Sequence, residues 1–489
     1  MKRIEYRLLA ITFVIIIFIC GITNFIKMKD AIKYYLTSEI SVQDKIKGID
    51  EVYRTSFSGR DEFIELYGLS KVVTCSKIIG QYEFIKDKFG IIHQFKFKVD
   101  NTRFNQEVIT VNNLVKQTNT PFLYVQVPAR EIRGFSDIPY NVADGTNENI
   151  DEIIENLSLN NIDYLDLREG IEDKENFFFK TDVHPKMETE YWIFKKVVME
   201  LENRYGIKLD NKEQLFNIAN YNVEPKEFLG NFSRSSGVTF SGVDIFNQYL
   251  PKFSTSFKLV DYADGTTKEG NFEEVIMNGF QDDKSKEDKM KYWIINYLKF
   301  PSPLYEITNN GVKNNNILMI MDSNGIGATS FLTLGAHNIT VVDTRYQKNR
   351  ECIKEALALR KYDAVVMLQI DFLSQFPLFP EYPQTTLVST DAPEELEKGK
   401  VYNMEFTFKN TGLTNWNAES KIGFGYLGDN YTDYGYRIMI PEGVEVKPGE
   451  LYTFKVKEFA VHTNDEALNF RMLIEGKDWL GEDNIIKIR

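Results

Sequence analysis

The sequence predicts an α/β protein built on a parallel sheet flanked by helices, preceded by one transmembrane helix and followed by an all-β sandwich. Three observations carry this expectation. An uncharged apolar run, Leu8 to Ile26, follows the basic start Lys2-Arg3. From Phe122 to Leu368, short apolar runs alternate with amphipathic stretches, as strands buried beneath covering helices do. Beyond Tyr382 the pattern changes to alternation with a period of two, which belongs to half-buried strands.

The apolar run is long enough to span a bilayer. At ~1.5 Å per residue it covers roughly the 30 Å hydrocarbon core. A cleaved signal peptide is the alternative, but Gly21-Ile22-Thr23-Asn24-Phe25-Ile26 offers no small-x-small cleavage site, which favours an uncleaved signal anchor. A lipid on Cys20 would need a small residue where Ile19 stands, so Cys20 reads as a lipid-facing apolar residue. Lys2, Arg3 and Arg7 against Lys27 and Lys29 bias the N-terminus only slightly towards the cytoplasm. The expectation is a single-pass cell-membrane protein with its bulk outside. Its parts are an anchor at 1–29, an α/β domain at 30–380 and a β-sandwich at 384–489. Pro377, Pro380 and Pro383 mark the last boundary, because they continue neither a helix nor a central strand.

A net charge of -13 argues against nucleic acid and against anionic lipid or teichoic acid as partners. Neutral polymers remain, although plain solubility explains the same charge. Cys75 and Cys352 form no disulfide or zinc pattern, and no metal or cofactor is called for. The four histidines, His93, His184, His337 and His462, restrict any histidine-dependent mechanism.

Five runs read as buried strands: Phe122 to Val127, Tyr164 to Leu167, Ile317 to Met321, Ile339 to Val342 and Ala364 to Leu368. Helices are expected around Asn147 to Leu159, Lys186 to Tyr205, Ala328 to Leu334 and Gln347 to Arg360. Gly206 to Asn316 breaks the rhythm and reads as an irregular insertion. In the last unit, Tyr402 to Phe408, Tyr452 to Val456 and Leu468 to Ile474 alternate between turn signals at Asn410-Thr411-Gly412 and Lys447-Pro448-Gly449-Glu450, as in a sandwich.

Two places could carry chemistry. The strand ending at Met321 runs into Asp322-Ser323-Asn324-Gly325, at the carboxyl edge where active sites of open α/β sheets gather. Helix capping by Asp322 or Ser323 explains the same letters. Upstream, Phe179-Lys180-Thr181-Asp182-Val183-His184-Pro185 sets a carboxylate two residues before a histidine. In an extended stretch they share a side, so Asp182 can hold one tautomer of His184, which can then take a serine proton. A surface histidine beside a solvated acid is the plain alternative. Pro185 suits the first position of a helix whose core face includes Trp192, Phe194 and Val198.

From Ile49 to Tyr382 the chain resembles the SGNH-hydrolase-like proteins related to the alginate O-acetylation proteins, in the branch named for an Asp-His-His-Trp signature. The resemblance rests on Phe179 to His184, Phe228-Leu229-Gly230-Asn231-Phe232-Ser233-Arg234, Ile317 to Gly325 and Val341-Val342-Asp343-Thr344-Arg345-Tyr346. It implies Ser323 as nucleophile, His184 as base and Asp182 as its orienting acid, with the Asp-x-His element ahead of the serine. It further implies Gly230, Asn231 and Asn324 as oxyanion donors, and Arg345 and Tyr346 as substrate contacts. Pro185 stands where the signature has tryptophan, and Met321 where many relatives have glycine.

The C-terminal unit resembles the immunoglobulin-like domain first described in an autophagy receptor, through Phe408 to Trp416 and Phe470 to Gly481. Its aromatics suit stacking on sugar rings. Tyr431 and Tyr434 are the expected contacts, whereas Trp416 and Trp479 read as core.

Together these resemblances imply an O-acetyltransferase that moves an acetyl group through a serine acyl-enzyme. The donor would be a membrane-bound O-acyltransferase partner. The acceptor would be an exopolysaccharide such as cellulose, or another cell-surface glycan, handled within its synthase complex. The alternatives are a carbohydrate acetylesterase, a non-catalytic glycan-binding scaffold and D-alanine transfer to teichoic acid.

Overall fold

A computed structural model describes residues 2–38, 42–56, 59–80, 84–94, 96–131, 145–171, 176–277, 302–346, 351–369, 378–379, 384–412, 414–428, 437–461, 465–476 and 478–489. Helices α1 (Lys2–Thr37), α2 (Val42–Ser56) and α3 (Arg60–Val73) come first. In α1, Ile11, Val14, Ile15, Phe18, Ile19 and Ile22 are all exposed. Among the described residues no helix is long and apolar enough to cross a membrane. Several side chains of the expected span, including those at 8–10, 13, 16, 17 and 20, lie outside the described residues.

A small antiparallel sheet of β1 (Ile78–Ile79), β2 (Phe84–Lys86) and β3 (Ile92–Gln94) leads into α4 (Thr102–Gln117), β4 (Phe122–Gln126), α5 (Thr146–Leu159), β5 (Tyr164–Asp166) and α6 (Met187–Tyr205). Past α7 (Lys212–Phe216), the hairpin of β6 (Tyr221–Phe228) and β7 (Asp244–Pro251) carries α8 (Asn231–Ser236) and α9 (Val238–Ser241) in its connection. Then follow β8 (Phe257–Asp261), β9 (Thr267–Gly270), α10 (Phe272–Val275), β10 (Leu304–Asn309), β11 (Asn316–Met321), α11 (Ile326–Leu332), β12 (Asn338–Asp343), α12 (Cys352–Leu359) and β13 (Ala364–Gln369).

The central sheet has the order β5-β4-β13-β11-β12-β10-β8-β9. Its first five strands are parallel neighbours and coincide with the five expected apolar runs. Those runs read as continuous because both faces are covered. Ile317, Met319 and Met321 pack into one core, while Leu318 and Ile320 pack into the other. The expected helices appear at α5, α6, α11 and α12, with residues 347–350 of the last outside the described part.

The expected parallel sheet is mixed at its other end. There β10 pairs antiparallel with β12 and β8, and β8 with β9. These strands come from the stretch expected to be irregular. Their apolar runs are interrupted by Lys258, Asp261 and Glu306, and buried Glu306 is made tolerable by an ion pair with Arg360 at 2.5 Å. Pro185 also differs from expectation. The helix begins at Met187 with Lys186 as its N-cap, and Pro185 forms a bridge to Phe178 instead.

The C-terminal strands are β14 (Thr385–Thr390), β15 (Glu395–Leu396), β16 (Val401–Asn410), β17 (Ile422–Gly428), β18 (Arg437–Met439), β19 (Leu451–Ala460), β20 (Ala467–Ile474) and β21 (Asp478–Ile488). They form sheets of order β14-β16-β19 and β15-β21-β20-β17-β18. Phe406, Phe408, Phe424, Phe454 and Phe470 share one core with Trp416, which is fully buried. Trp479, expected in that core, is instead half-buried beneath the Arg437 guanidinium, 4.6 Å from its ring centre. Tyr431 and Tyr434 lie outside the described residues, as do Pro377, Pro380 and Pro383.

A buried ionic cluster ties β3 to the stretch after β4. His93 Nε2 meets Asp87 Oδ2 at 3.0 Å, its Nδ1 meets Glu131 Oε1 at 3.3 Å, and Lys96 Nζ lies 3.5 Å from Glu131 Oε2. Burial opposes the charges of Asp87, His93 and Glu131, and their partners outweigh it. His93 is raised above its ordinary 6.5, while Lys96, His93 and Arg130 hold Glu131 down at about 2.

Two stability outcomes follow, both measurable by urea unfolding. Trp416→Ala should cost about 3–5 kcal/mol in the C-terminal unit, the usual range for removing a large buried aromatic. His93→Gln should cost about 1–3 kcal/mol, because it removes a buried charged partner from Asp87 and Glu131, while Lys96 still faces Glu131 and the Phe89 and Ile91 N–H groups still bond Asp87. The sign with pH is defined by the raised His93: its contribution is complete below 6.5 and disappears as pH rises through its folded value. Wild-type stability should therefore show an alkaline loss that His93→Gln lacks.

Candidate functional site

The five parallel strands end at one edge of the sheet, and β11 delivers Asp322 and Ser323 there. Asp322 caps the following 3₁₀ turn, Ser323–Gly325. Its Oδ1 accepts the backbone N–H of Asn324 and, at 2.9 Å, the Asn324 side-chain amide. Capping and a free serine therefore coexist: the Ser323 hydroxyl makes no hydrogen bond among the described residues. Burial pushes the Asp322 carboxyl up to about 6 against the hydrogen bonds from Asn324.

The facing element is the segment from Lys180 to His184. His184 Nδ1 is hydrogen-bonded to Asp182 Oδ1, which also accepts the His184 backbone N–H at 3.1 Å. Asp182 is fully buried, and its second oxygen accepts Asn231 N–H at 2.8 Å. Burial pushes Asp182 up, but His184 and these N–H groups outweigh it and hold the carboxyl below its usual range. The backbone around it is fastened from several sides. Asp244 accepts Lys180 N–H at 3.1 Å, Thr181 N–H at 2.8 Å and the Thr181 hydroxyl at 2.6 Å. Phe232 N–H donates to the Thr181 carbonyl at 2.9 Å.

Arg130 completes the clamp. Its guanidinium donates to the carbonyls of Asp182 and Lys180, the latter at 3.1 Å, and lies 5.1 Å from the centre of the Phe232 ring. Gly230 is required by closeness, since a Cβ there would stand 2.1 Å from the Thr181 carbonyl oxygen.

His184 and Ser323 line one pocket of about 310 Å³. Asn231, Arg345, Tyr346 and Glu190 add polar groups to its wall, and Val183, Pro185, Met187 and Ile326 add apolar ones. The residues expected at the site thus divide clearly. Ser323, His184, Asn231, Arg345 and Tyr346 face the pocket, with Asp182 behind His184. Gly230 and Asn324 are not in its wall. Their N–H groups donate to the Thr181 hydroxyl, at 3.1 Å, and to Asp322. The Asn231 N–H is likewise used by Asp182, which leaves its side-chain amide for a ligand. Arg345 is paired with Asp343 through Nε at 2.9 Å and Nη2 at 2.6 Å, so its charge is already compensated.

Sequence reasoning missed Arg130 and Glu190. Arg130 has no local signal, because its partners are fifty residues away. Glu190 had one: it occupies a core position of α6, beside Met187, Tyr191 and Phe194.

No protein-family model and no curated protein matches the chain. Solved structures similar to it include PatB1 of Bacillus cereus, with 16% identity over 60% of this chain and 96% of that one, at a TM-score of 0.45. A DHHW family protein from Eubacterium siraeum shows 14% identity over 60% of this chain and 91% of its own, at a TM-score of 0.44. The O-acetyltransferase domain of Pseudomonas putida AlgJ shows 10% identity over 61% and 92%, at a TM-score of 0.34.

Proposed function

We propose that this chain is a membrane-anchored, extracytoplasmic O-acetyltransferase that carries an acetyl group on Ser323 to a hydroxyl of a cell-surface glycan. The observation that carries the acyl-transfer part is His184, backed by buried Asp182, sharing a pocket at the carboxyl edge of the sheet with Ser323, whose hydroxyl makes no hydrogen bond among the described residues.

In this mechanism Ser323 Oγ attacks the donor carbonyl carbon while His184 Nε2 takes the serine proton. Asp182 keeps Nδ1 protonated and stabilises the imidazolium. The carbonyl oxygen becomes an oxyanion. The donors left for it are the Ser323 N–H and the Asn231 side-chain amide, because the other expected N–H groups are committed internally. Collapse expels the donor's alcohol, which receives the proton from His184, and leaves an acetyl ester on Ser323. A sugar hydroxyl then attacks that ester, gives its proton to His184, and departs acetylated as Ser323 regains a proton.

The acetyl group, the membrane-bound O-acyltransferase as donor and the polysaccharide with its synthase complex as acceptor come from the family resemblance. The anchor comes from the apolar run at Leu8 to Ile26, whose described side chains other than Asn24 are exposed. If it spans the membrane with its start inside, Ser323 lies on the side where exported glycans are found.

The test uses the full-length protein with an activated acetyl ester and intact-mass detection. Wild type should gain one acetyl group on Ser323, and Ser323→Ala and His184→Ala should gain none while remaining folded. Asp182→Asn should slow turnover on the order of 10⁴-fold, the loss seen when a triad loses its orienting acid. Full labelling of Ser323→Ala would sink the mechanism. Release of free acetate alone under every glycan tried would make the protein an esterase. Protease protection of the domain in intact cells would tell against the proposed side of the membrane.

A further inference from the structure

Glu190 is a buried acid of the pocket wall to which neither the triad nor the oxyanion donors give a task. It is 4% exposed, yet it belongs to the pocket wall with His184 and Ser323. Oε2 accepts the backbone N–H of Ala328 at 2.9 Å. Oε1 makes no hydrogen bond among the described residues. The contact with α11 is close, since a Cβ on Gly327 would stand 2.5 Å from Glu190 Cγ.

The charges around Glu190 do not favour a carboxylate. α11, packed against it, contains no ionisable side chain. Arg345 in the same pocket is committed to Asp343, and His184 to Asp182. The remaining neighbour is Asp322, a buried acid of the same sign. Burial first, and Asp322 second, raise Glu190 well above the ordinary carboxyl range, against the single N–H from Ala328. A neutral acid whose Oε2 accepts from Ala328 carries its proton on Oε1, the oxygen available to a ligand.

We propose that Glu190 is a specificity residue: as a carboxylic acid it donates a hydrogen bond from Oε1 to an oxygen of a neutral sugar acceptor, holding the reacting hydroxyl beside His184. This rests on the acyl-enzyme reading of Ser323. The acceptor class follows from the wall: among the described residues its guanidinium, Arg345, is already paired with Asp343, and the acid in it, Glu190, feels a second buried acid, Asp322, nearby. Burying an anion there leaves it unpaired, which is costly.

The test follows capture of the acetyl group from acylated full-length protein by cellotetraose, with a glucuronate oligosaccharide as the acidic comparison. Glu190→Ala should raise the cellotetraose concentration needed for half-capture about threefold to tenfold, the worth of one neutral hydrogen bond. Glu190→Gln keeps a donor and an acceptor, and should restore capture to within about twofold of wild type. As pH rises, wild type should lose capture when Glu190 ionises, and Glu190→Gln should not share that step. An infrared difference spectrum between the two at neutral pH should contain a carboxylic-acid carbonyl band.

A purely structural cap for Ala328 predicts no such band and no difference in alkaline pH dependence. Either result, equal capture by wild type and Glu190→Ala, preference for the glucuronate oligosaccharide, or capture of neither sugar overturns the proposal. Absence of acyl-Ser323 in wild type would instead overturn the catalytic reading, and the infrared band would still report on Glu190.

Discussion

Asp182 is a carboxylate without access to water, and much of the architecture around the pocket serves to keep it charged and in place. Burial alone pushes a carboxyl towards its neutral form. Here the imidazole of His184, its backbone N–H and the Asn231 N–H together outweigh that push. Each donor depends on a different element. His184 is held by the segment entering α6, and Asn231 by the turn that opens α8. Arg130, from the end of the β4 stretch, fastens the Asp182 carbonyl. Gly230 lets the α8 turn approach closely enough for its N–H to reach. The Asp182–His184 pair is thus a junction of elements distant in sequence, and the β6–β7 hairpin belongs to it through Asp244.

Carboxyls of opposite character lie in and behind the wall of one pocket. Asp182 is lowered because hydrogen-bond donors and an imidazole surround it. Asp322 and Glu190 are raised because burial acts on them with few donors and no committed cation. Their linkage to stability has opposite signs. Asp182 adds stability above its ordinary value, which is lost as pH falls through its folded value. Asp322 favours the folded chain most below 3.8, and that contribution is lost as pH rises through about 6. Such divergence between neighbouring acids is how one site can contain both a base-orienting carboxylate and a proton-bearing acid.

The sequence was most informative where one interaction dominates a local pattern. The five parallel strands are legible because burial on both faces leaves uninterrupted apolar runs. Asp182 and His184 are legible because their relation needs only a spacing of two residues. Legibility fails where the decisive partner is remote. β8 and β10 carry charges that disguise them, and only the fold shows Arg360 reaching Glu306. Arg130 looks like any loop arginine until Lys180 and Asp182 come to lie against it. Pro185 misled because a proline near a helix start suits more than one position, and the bridge to Phe178 decides between them. The Tyr431 and Tyr434 expectation falls outside the described residues.

The size of the pocket constrains what the chemistry can recognise. About 310 Å³ lies at the small end of ligand sites, which run from ~300 to ~1,000 Å³. That volume has room for an acyl group and the reacting part of a sugar, not for a length of polymer. On the proposed function, His184, Glu190 and Asn231 would read one hydroxyl and its nearest oxygens, and the identity of the polymer would be read outside the pocket. A second surface, or confinement beside the enzyme complex that makes the glycan, can supply that selection by raising the local concentration of the correct chain. On the proposed function, an anchor near the site of synthesis and an accessory β-sandwich would both act in this way, leaving the pocket free to be small, closely held and nearly charge-balanced.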